Sequence, residues 1–440
     1  MIGSTTPYEI LDRKRRGGAW STDEIQAAIA GSLNREWSDA QLGAFLMAAA
    51  IQGLDEAETA ALTQAMLHSG EQWDLARDLP HLGDKHSTGG VGDKVSLVLG
   101  PLLAACGQSV VMLTGRSLGH TGGTADKLET IPGLDLALDR RRAVKALERT
   151  GLAIGLATDA IAPADRRLYA LRDATGTVAT LPLMVASILS KKLACGAAAM
   201  VFDVKTGDGA FLADPGEAEV LARVMIDVCG RSGRPAAALV TDMSQPLGRW
   251  AGGGVEVAEA LACLAGEGPE DLRRLTLDLG ELLCQTTGSG VTRVELEAAL
   301  ADGRGRERLA RWAVEQGADP GWADVYRPAL APHELIATAP RDGVLARVGT
   351  RELGLLLAGA AAGAGTGGAD SGVALESLAR LGDRVSSGQP LARLHAPGPS
   401  PDLQRRLAQA YVVADGGEAP PLVRERFLPP SRGSGFRDLR

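Results

Sequence analysis

Hydrophobic positions recur with a helical rhythm at the start of the chain. Ile25, Ile29 and Leu33 return every fourth residue behind Ser21 and Glu24, a pair whose side chains cover each other's unpaired backbone amides. Ser38 with Gln41 repeats the signature ahead of Leu42, Phe45 and Leu46, and Asp55-Glu56-Ala57-Glu58 opens a stretch carrying Leu62 and Met66. The first 70 residues therefore predict three short helices in a small all-helical unit. After Trp73 the rhythm changes. Val95, Val98, Leu99, Leu102 and Leu103 mark the apolar stripe of a helix ended by Gly107. Ser109–Thr114, Leu152–Ala157 and Ala199–Val204 read as buried strands with helical stretches between them. Such alternation predicts an α/β domain with a mostly parallel sheet and ligands at the carboxyl ends of its strands.

Near Pro332 the pattern shifts again. Ala337–Val348, Leu356–Ala362 and Leu391–His395 are short strand candidates punctuated by glycine. Leu381–Leu391 has the strand–turn–strand look of half a biotinyl/lipoyl-type β-sandwich, but no lysine stands at its tip, so its role is structural. From Gly416 onward proline, glycine and arginine predict a loosely ordered tail.

At 440 residues the chain calls for two or three domains. A net charge of −8 argues against a nucleic-acid partner, and the basic run Arg13–Arg16 reads as the solvated face of a first helix. Five scattered cysteines without a C-x-x-C pattern point to a reduced, cytoplasmic protein with neither a disulfide framework nor a metal site. No signal peptide is visible, and no run of about 18 apolar residues suggests a membrane span.

Candidate chemistry concentrates between Asp84 and Glu129. In Asp84-Lys85-His86-Ser87-Thr88-Gly89-Gly90-Val91-Gly92-Asp93-Lys94-Val95-Ser96, three glycines let the backbone approach an anion, three hydroxyls can donate, and Lys85 brings a charge. The helix starting near Val95 adds unpaired amides and the positive end of its dipole. This is not a Walker A loop, because Asp93 separates Gly92 from Lys94 and Val95 follows the lysine. The second segment, Thr114 to Glu129, follows a strand, and its Thr124 is placed to cap the next helix and to donate to the same anion.

Rival motifs are weaker. Gly115-Arg116-Ser117-Leu118-Gly119 matches the nucleophile elbow of serine hydrolases, but His120-Thr121-Gly122-Gly123 is a poor helix start. Gly363, Gly365 and Gly368 satisfy G-x-G-x-x-G without the acidic partner of a dinucleotide site. Lys205-Thr206-Gly207 resembles one β-lactamase element, with no S-x-x-K beside it. Farther along, Pro182 can start a helix that places Ser187 and Lys191 on one face, and Arg172 ends the preceding helical stretch. Converging cations beside a phosphate would suit a leaving group that departs as an anion. Ordinary surface cations on an exposed helix fit the same letters.

Lys85–Asp93 together with Thr121–Glu129 closely resembles the thymidine/pyrimidine-nucleoside phosphorylase family. The likeness runs on through Ala162–Asp165, Tyr169–Thr175, Ser187–Leu193, Phe202–Gly207 and Thr241–Met243 to Leu381–Leu391. The resemblance implies a homodimer of two-lobed subunits. A helical lobe would comprise 1–65 and 163–193, an α/β phosphate-binding part 66–162 and 194–334, and a β-rich C-terminal part 335–440. It further implies that Lys85, Ser87, Ser96 and Thr124 hold inorganic phosphate, the co-substrate, with Thr114 close by. Arg172, Ser187 and Lys191 would hold the pyrimidine of thymidine or deoxyuridine, with His86 reaching across and Leu118 packing nearby; His86, Arg172 and Lys191 would be catalytic. No cofactor is implied.

Three positions bear on subtype within that resemblance. Met112 stands where broad-specificity members carry a lysine near the ribose 2′-hydroxyl, which favours 2′-deoxy substrates. Lys94 stands where those members carry a small hydroxyl residue that helps bind potassium, so its ammonium would replace the cation, facing Glu259. Ser117 replaces a usual glycine and would be strained if its φ were positive. Anthranilate phosphoribosyltransferase shares the architecture, but the match at the pyrimidine positions argues against it. A catalytically silent nucleoside-binding protein would not need every one of these positions filled.

Overall fold

The computed structural model describes residues 5–117, 119–363 and 371–429. Four helices open the chain: α1 (Pro7–Arg15), α2 (Thr22–Asn34), α3 (Asp39–Gln52) and α4 (Glu56–Leu67). The three predicted from periodicity carry the reciprocal caps expected of them, and α1 adds a fourth box through Thr6 and Glu9. The basic run on α1 is not wholly solvated, as the sequence suggested. Lys14 is buried and its ammonium lies 2.7 Å from the Glu58 carboxylate, because α1 packs across α3 and α4 rather than standing free.

A seven-stranded sheet follows, built from β1 (Gly83–Ser87), β2 (Val110–Thr114), β3 (Ala137–Leu138), β4 (Leu152–Ala157), β5 (Ala199–Thr206) and β6 (Ala236–Asp242), with Val423–Phe427 as its last strand. Across the sheet the order is 423–427, β6, β5, β1, β2, β4, β3, and all pairs are parallel except 423–427 against β6. The chain leaves β1 towards β2 on one side and returns as β5 on the other. The crevice at the carboxyl end of β1 is therefore a topological switch point. The expected loose tail is corrected for Val423–Phe427, while residues 430–440 of it lie outside the described residues. Its alternating Val423, Glu425 and Phe427 pair with β6, and Arg424 holds Asp242 at 2.6 Å.

Helix α5 (Val95–Ala105) is buried on nearly all sides, not on one stripe: Gly100 lies against Met112, Leu152 and Ile154 of the sheet, while Leu99 and Leu103 meet Gly280 of the helix Glu270–Thr287. After α6 (Thr124–Leu128) and α7 (Arg140–Thr150), helices α8 (Pro163–Thr175) and α9 (Leu181–Ala194) turn away from the sheet and join α1–α4. Ala164, Leu168, Leu183 and Ala186 share one core with Ile25, Leu42 and Leu62, in which Trp20 stacks on Phe45 at 4.1 Å.

In the C-terminal region His333–Thr338, Gly343–Val348, Ala374–Ser377 and Pro390–Ala396 are strands. The two arms of the predicted strand–turn–strand go to different sheets, Arg384–Val385 to 343–344 and Pro390–Ala396 to 333–338. Leu356–Ala362 is not a strand but lies within the helix Thr350–Gly363. The run is rich in Leu and Ala, lacks β-branched residues, and continues a helix that is 14 residues long. Of the glycine triad at 363, 365 and 368, the last two lie outside the described residues. All five cysteines are free thiols. Among the described residues no helix is long and apolar enough to cross a membrane.

Candidate active site

The loops after β1 and β2 face α8 and α9 across a cavity of about 320 Å³. Nine of the ten residues singled out from sequence line it: Lys85, Ser87, Ser96, Thr114 and Thr124 from the sheet side, Arg172, Ser187 and Lys191 from the helices, and His86 between them. The tenth, Leu118, lies outside the described residues.

On the sheet side the backbone after β1 turns through Gly92 at φ 76°, and a Cβ there would meet the Leu247 carbonyl oxygen at 2.8 Å. Only glycine allows that approach. Asp93 then folds back into the loop. It accepts the Ser87 hydroxyl and, at 3.2 Å, the Val95 amide at the start of α5. One amide expected to be open to an anion is thus already taken. Lys85 is buried, with its Nζ 3.2 Å from Ser96 Oγ and 3.5 Å from Asp203. Burial pulls its ammonium below the usual lysine range, against the pull of Asp93 and Asp203.

The second loop returns tightly on itself. A Cβ at Gly123 would sit 2.3 Å from the Ser117 nitrogen, so this glycine is required by close approach. Gly123, not Thr124, is the N-cap of α6, and no side chain caps it. The expected double role of Thr124 is corrected: it starts the helix with its hydroxyl left to the cavity. Ser117 is not among the positive-φ residues, and its amide donates to Asp126 at 2.6 Å, so the feared strain is absent. With the helix starting only at Thr124, well past Ser117, there is no nucleophile elbow.

On the helical side, Asp165, Tyr169 and Arg172 occupy positions i, i+4 and i+7 of α8 and share a face. Arg172 lies 5.5 Å from the Tyr169 ring centre and donates to the carbonyls of Leu183 and Val178, while its buried Nε has no partner in the protein. Lys191 donates to Ser187 Oγ at 3.2 Å and to the buried carboxylate of Asp165. Asp165 was quoted in the sequence motif but given no role; the spacing to Arg172 was the available signal. Asp203 and Lys205 were missed as well. Their signal was two charges on a strand whose other positions, Thr206 apart, are apolar.

His86 stands half-buried. Desolvation, and then Lys192, Lys85 and Lys191, hold its imidazole well below the ordinary histidine range, so it is neutral near pH 7. Lys192, from α9, donates to Asp84 at 2.9 Å and to the carbonyls of Lys85 and Leu113. Met112 also lines the cavity and packs against Gly100. Behind the site Lys94 faces Glu259, as expected. Its ammonium donates to Glu259 at 2.6 Å and to the carbonyls of Leu247 and Trp250 at 2.8 and 2.6 Å.

The site thus joins a lysine, hydroxyls and glycine loops on a sheet to Arg172 and Lys191 on a helical unit. Comparisons with known proteins give a helical and an α/β match, with α8 and α9 inside the latter. The description "Glycosyl transferase family, helical bundle domain" matches residues 8–70, and "Glycosyl transferase family, a/b domain" matches residues 79–306. Human thymidine phosphorylase is 42% identical, covering 96% of this chain and 92% of its own. Pyrimidine-nucleoside phosphorylase of Geobacillus stearothermophilus is 38% identical, covering 95% and 99%. Anthranilate phosphoribosyltransferase from Thermus thermophilus shares the fold at a TM-score of 0.57 and 20% identity, covering 70% of this chain and 99% of its own. With matching relatives along nearly its whole length, the chain belongs to the thymidine/pyrimidine-nucleoside phosphorylase family.

Proposed function

We propose that this protein catalyses the reversible phosphorolysis of thymidine and deoxyuridine, giving the free pyrimidine and 2-deoxy-α-D-ribose 1-phosphate. The observation that carries the reading is the facing of Lys85, Ser87, Ser96, Thr114 and Thr124 with Arg172, Ser187 and Lys191 across one cavity. Breaking the N-glycosidic bond builds positive charge on the sugar and negative charge on the departing base. Arg172 and Lys191 stabilise the base anion, and His86 donates to its O2. Phosphate, held by Lys85 and the hydroxyls, attacks C1′ from the opposite face. The bond from C1′ to the base nitrogen breaks as the bond from C1′ to the phosphate oxygen forms, and closure of the helical unit on the sheet brings the partners together.

Met112 supports a preference for 2′-deoxy substrates, since its thioether offers nothing to a 2′-hydroxyl. The free cysteines support a cytoplasmic setting. A homodimer is supported by the exposed apolar side chains of Tyr8, Met47 and Ile51 on the neighbouring helices α1 and α3. The test is ultraviolet absorbance of thymidine or uridine with the protein, with and without inorganic phosphate. Phosphate-dependent base release, faster with thymidine, is the expected result, and Arg172→Ala should lower it by roughly a hundredfold or more. An Arg172→Ala protein with full activity would falsify the base-site assignment.

A further inference from the structure

Behind the proposed phosphate grip lies a cluster of four buried charges, Lys85, Asp93, Asp203 and Lys205, of which the reaction outlined above uses only Lys85. Asp203 and Lys205 are two residues apart on β5 and so share one face of the sheet. That face adjoins β1, where Ser87 is in register with Asp203 and Lys85 with Val201. Asp203 Oδ1 accepts the Thr241 hydroxyl at 2.6 Å, and Oδ2 lies between two ammonium groups, Lys205 at 2.8 Å and Lys85 at 3.5 Å. Lys205 also stands 4.0 Å from Asp93, the carboxylate that holds Ser87 and the start of α5. Its backbone amide donates to Thr88 Oγ1 at 2.8 Å, a second tie to the same loop.

We propose that Lys205 is a positioning residue for phosphate: it neutralises Asp203 and Asp93, leaving the Lys85 ammonium free to turn to the bound anion. The inference rests on reading the cavity as the phosphate seat. Lys85 and Asp93 line that cavity; Asp203 and Lys205 do not. Lys205 therefore cannot touch the ligand and must act through its neighbours. The charge count gives the reason. Two lysines balance two aspartates, and only Lys85 can reach the cavity. Lys127 also acts on Asp93, but its ammonium is already paired with Glu256 at 2.6 Å; without Lys205, Asp203 and Asp93 would therefore share the Lys85 ammonium and hold it inward, and Asp93 would repel an arriving anion more strongly. Burial opposes the charge on Lys205, but Asp203 and Asp93 outweigh it and hold its ammonium above the usual lysine range, so it stays charged throughout.

The test compares full-length Lys205→Met, Lys205→Arg and the charge-balanced double variant Asp203→Asn/Lys205→Met with the wild type. KM for phosphate and KM for thymidine are measured, together with calorimetric binding of inorganic phosphate alone. Lys205→Met should raise the phosphate KM by roughly tenfold or more while the thymidine KM stays within about twofold. Lys205→Arg should stay close to wild type, and the double variant should regain most of the loss. Unchanged phosphate binding in Lys205→Met, or equal movement of both KM values, would overturn the proposal. Should Lys205→Met fail to fold, a Lys205→Arg protein that folds but has lost phosphate affinity would overturn it equally. Wild-type protein that binds phosphate yet releases no thymine would sink the reaction and leave the calorimetric test of Lys205 intact.

Discussion

The imidazole of His86 stands half-buried among Lys85, Lys191 and Lys192, and its protonation follows from that company. In the free protein it is neutral and can offer the base an N–H but not a second proton. A phosphate dianion bound beside it would draw its pKa up, coupling proton supply to arrival of the nucleophile. As pH falls through the ordinary histidine range, the unfolded chain takes a proton that the folded site refuses, so acidification weakens the fold at this residue. Proton NMR, with the His86 signal assigned through a His86→Gln variant, should show no titration near pH 6.5 in the free protein and an upward shift with phosphate. A midpoint at or above that ordinary value without ligand would contradict the neutral form. Lys94 allows another prediction at this scale. Its ammonium fills a cage of two carbonyls and the Glu259 carboxylate, donors that would suit a monovalent cation. Turnover should therefore be the same in sodium as in potassium buffers of equal ionic strength, and a requirement for potassium would count against an internal cation.

Helices were legible wherever local signals agreed. Ser21, Ser38 and Asp55 each begin a helix where the capping letters place them, because a cap acts within four residues of sequence. Errors arose where partners came from afar. Nothing near Lys14 announces that it is buried; its carboxylate partner stands 44 residues away on α4. Glu58 serves three donors at once: Lys14, the Trp20 amide at 2.7 Å and the Asp55 amide at 3.0 Å. Removing the lysine leaves a buried carboxylate on two amides, which costs about 3 kcal/mol. Lys14→Met should accordingly lower the thermal midpoint of the helical unit, read by circular dichroism. A variant as stable as its parent would mean that the two amides suffice.

At the scale of the whole molecule, one side chain ties α9, which carries Ser187 and Lys191, to β1 and β2, whose ends carry the glycine loops. Lys192 leaves α9 and ends on Asp84 of β1 and on the carbonyls of Lys85 and Leu113. Burial pushes the Asp84 carboxyl up to about 6, with Lys192 pulling the other way. A carboxylate raised in the fold weakens stability above that pH and is relieved as pH falls through it. Lys192→Met should thus destabilise by about 3–5 kcal/mol at pH 7.5 and by less at pH 5, where Asp84 can take a proton. Urea unfolding at both values decides it, and an equal loss at each would show that Asp84 is not the group left exposed to the change. The sequence by itself determined the capped helices α2–α4, the strands β2, β4 and β5 and the glycine loops, because caps, periodicity and loop chemistry act over a few neighbours, and its resemblance to a family named nine residues that line the cavity. Only the tertiary structure decided that Thr124 is left uncapping, that Asp93 occupies the amide of Val95, and that Asp203 and Lys205 stand behind Lys85. Those facts come from strands and helices far apart in sequence, and buried charges can be counted only once their partners are in place.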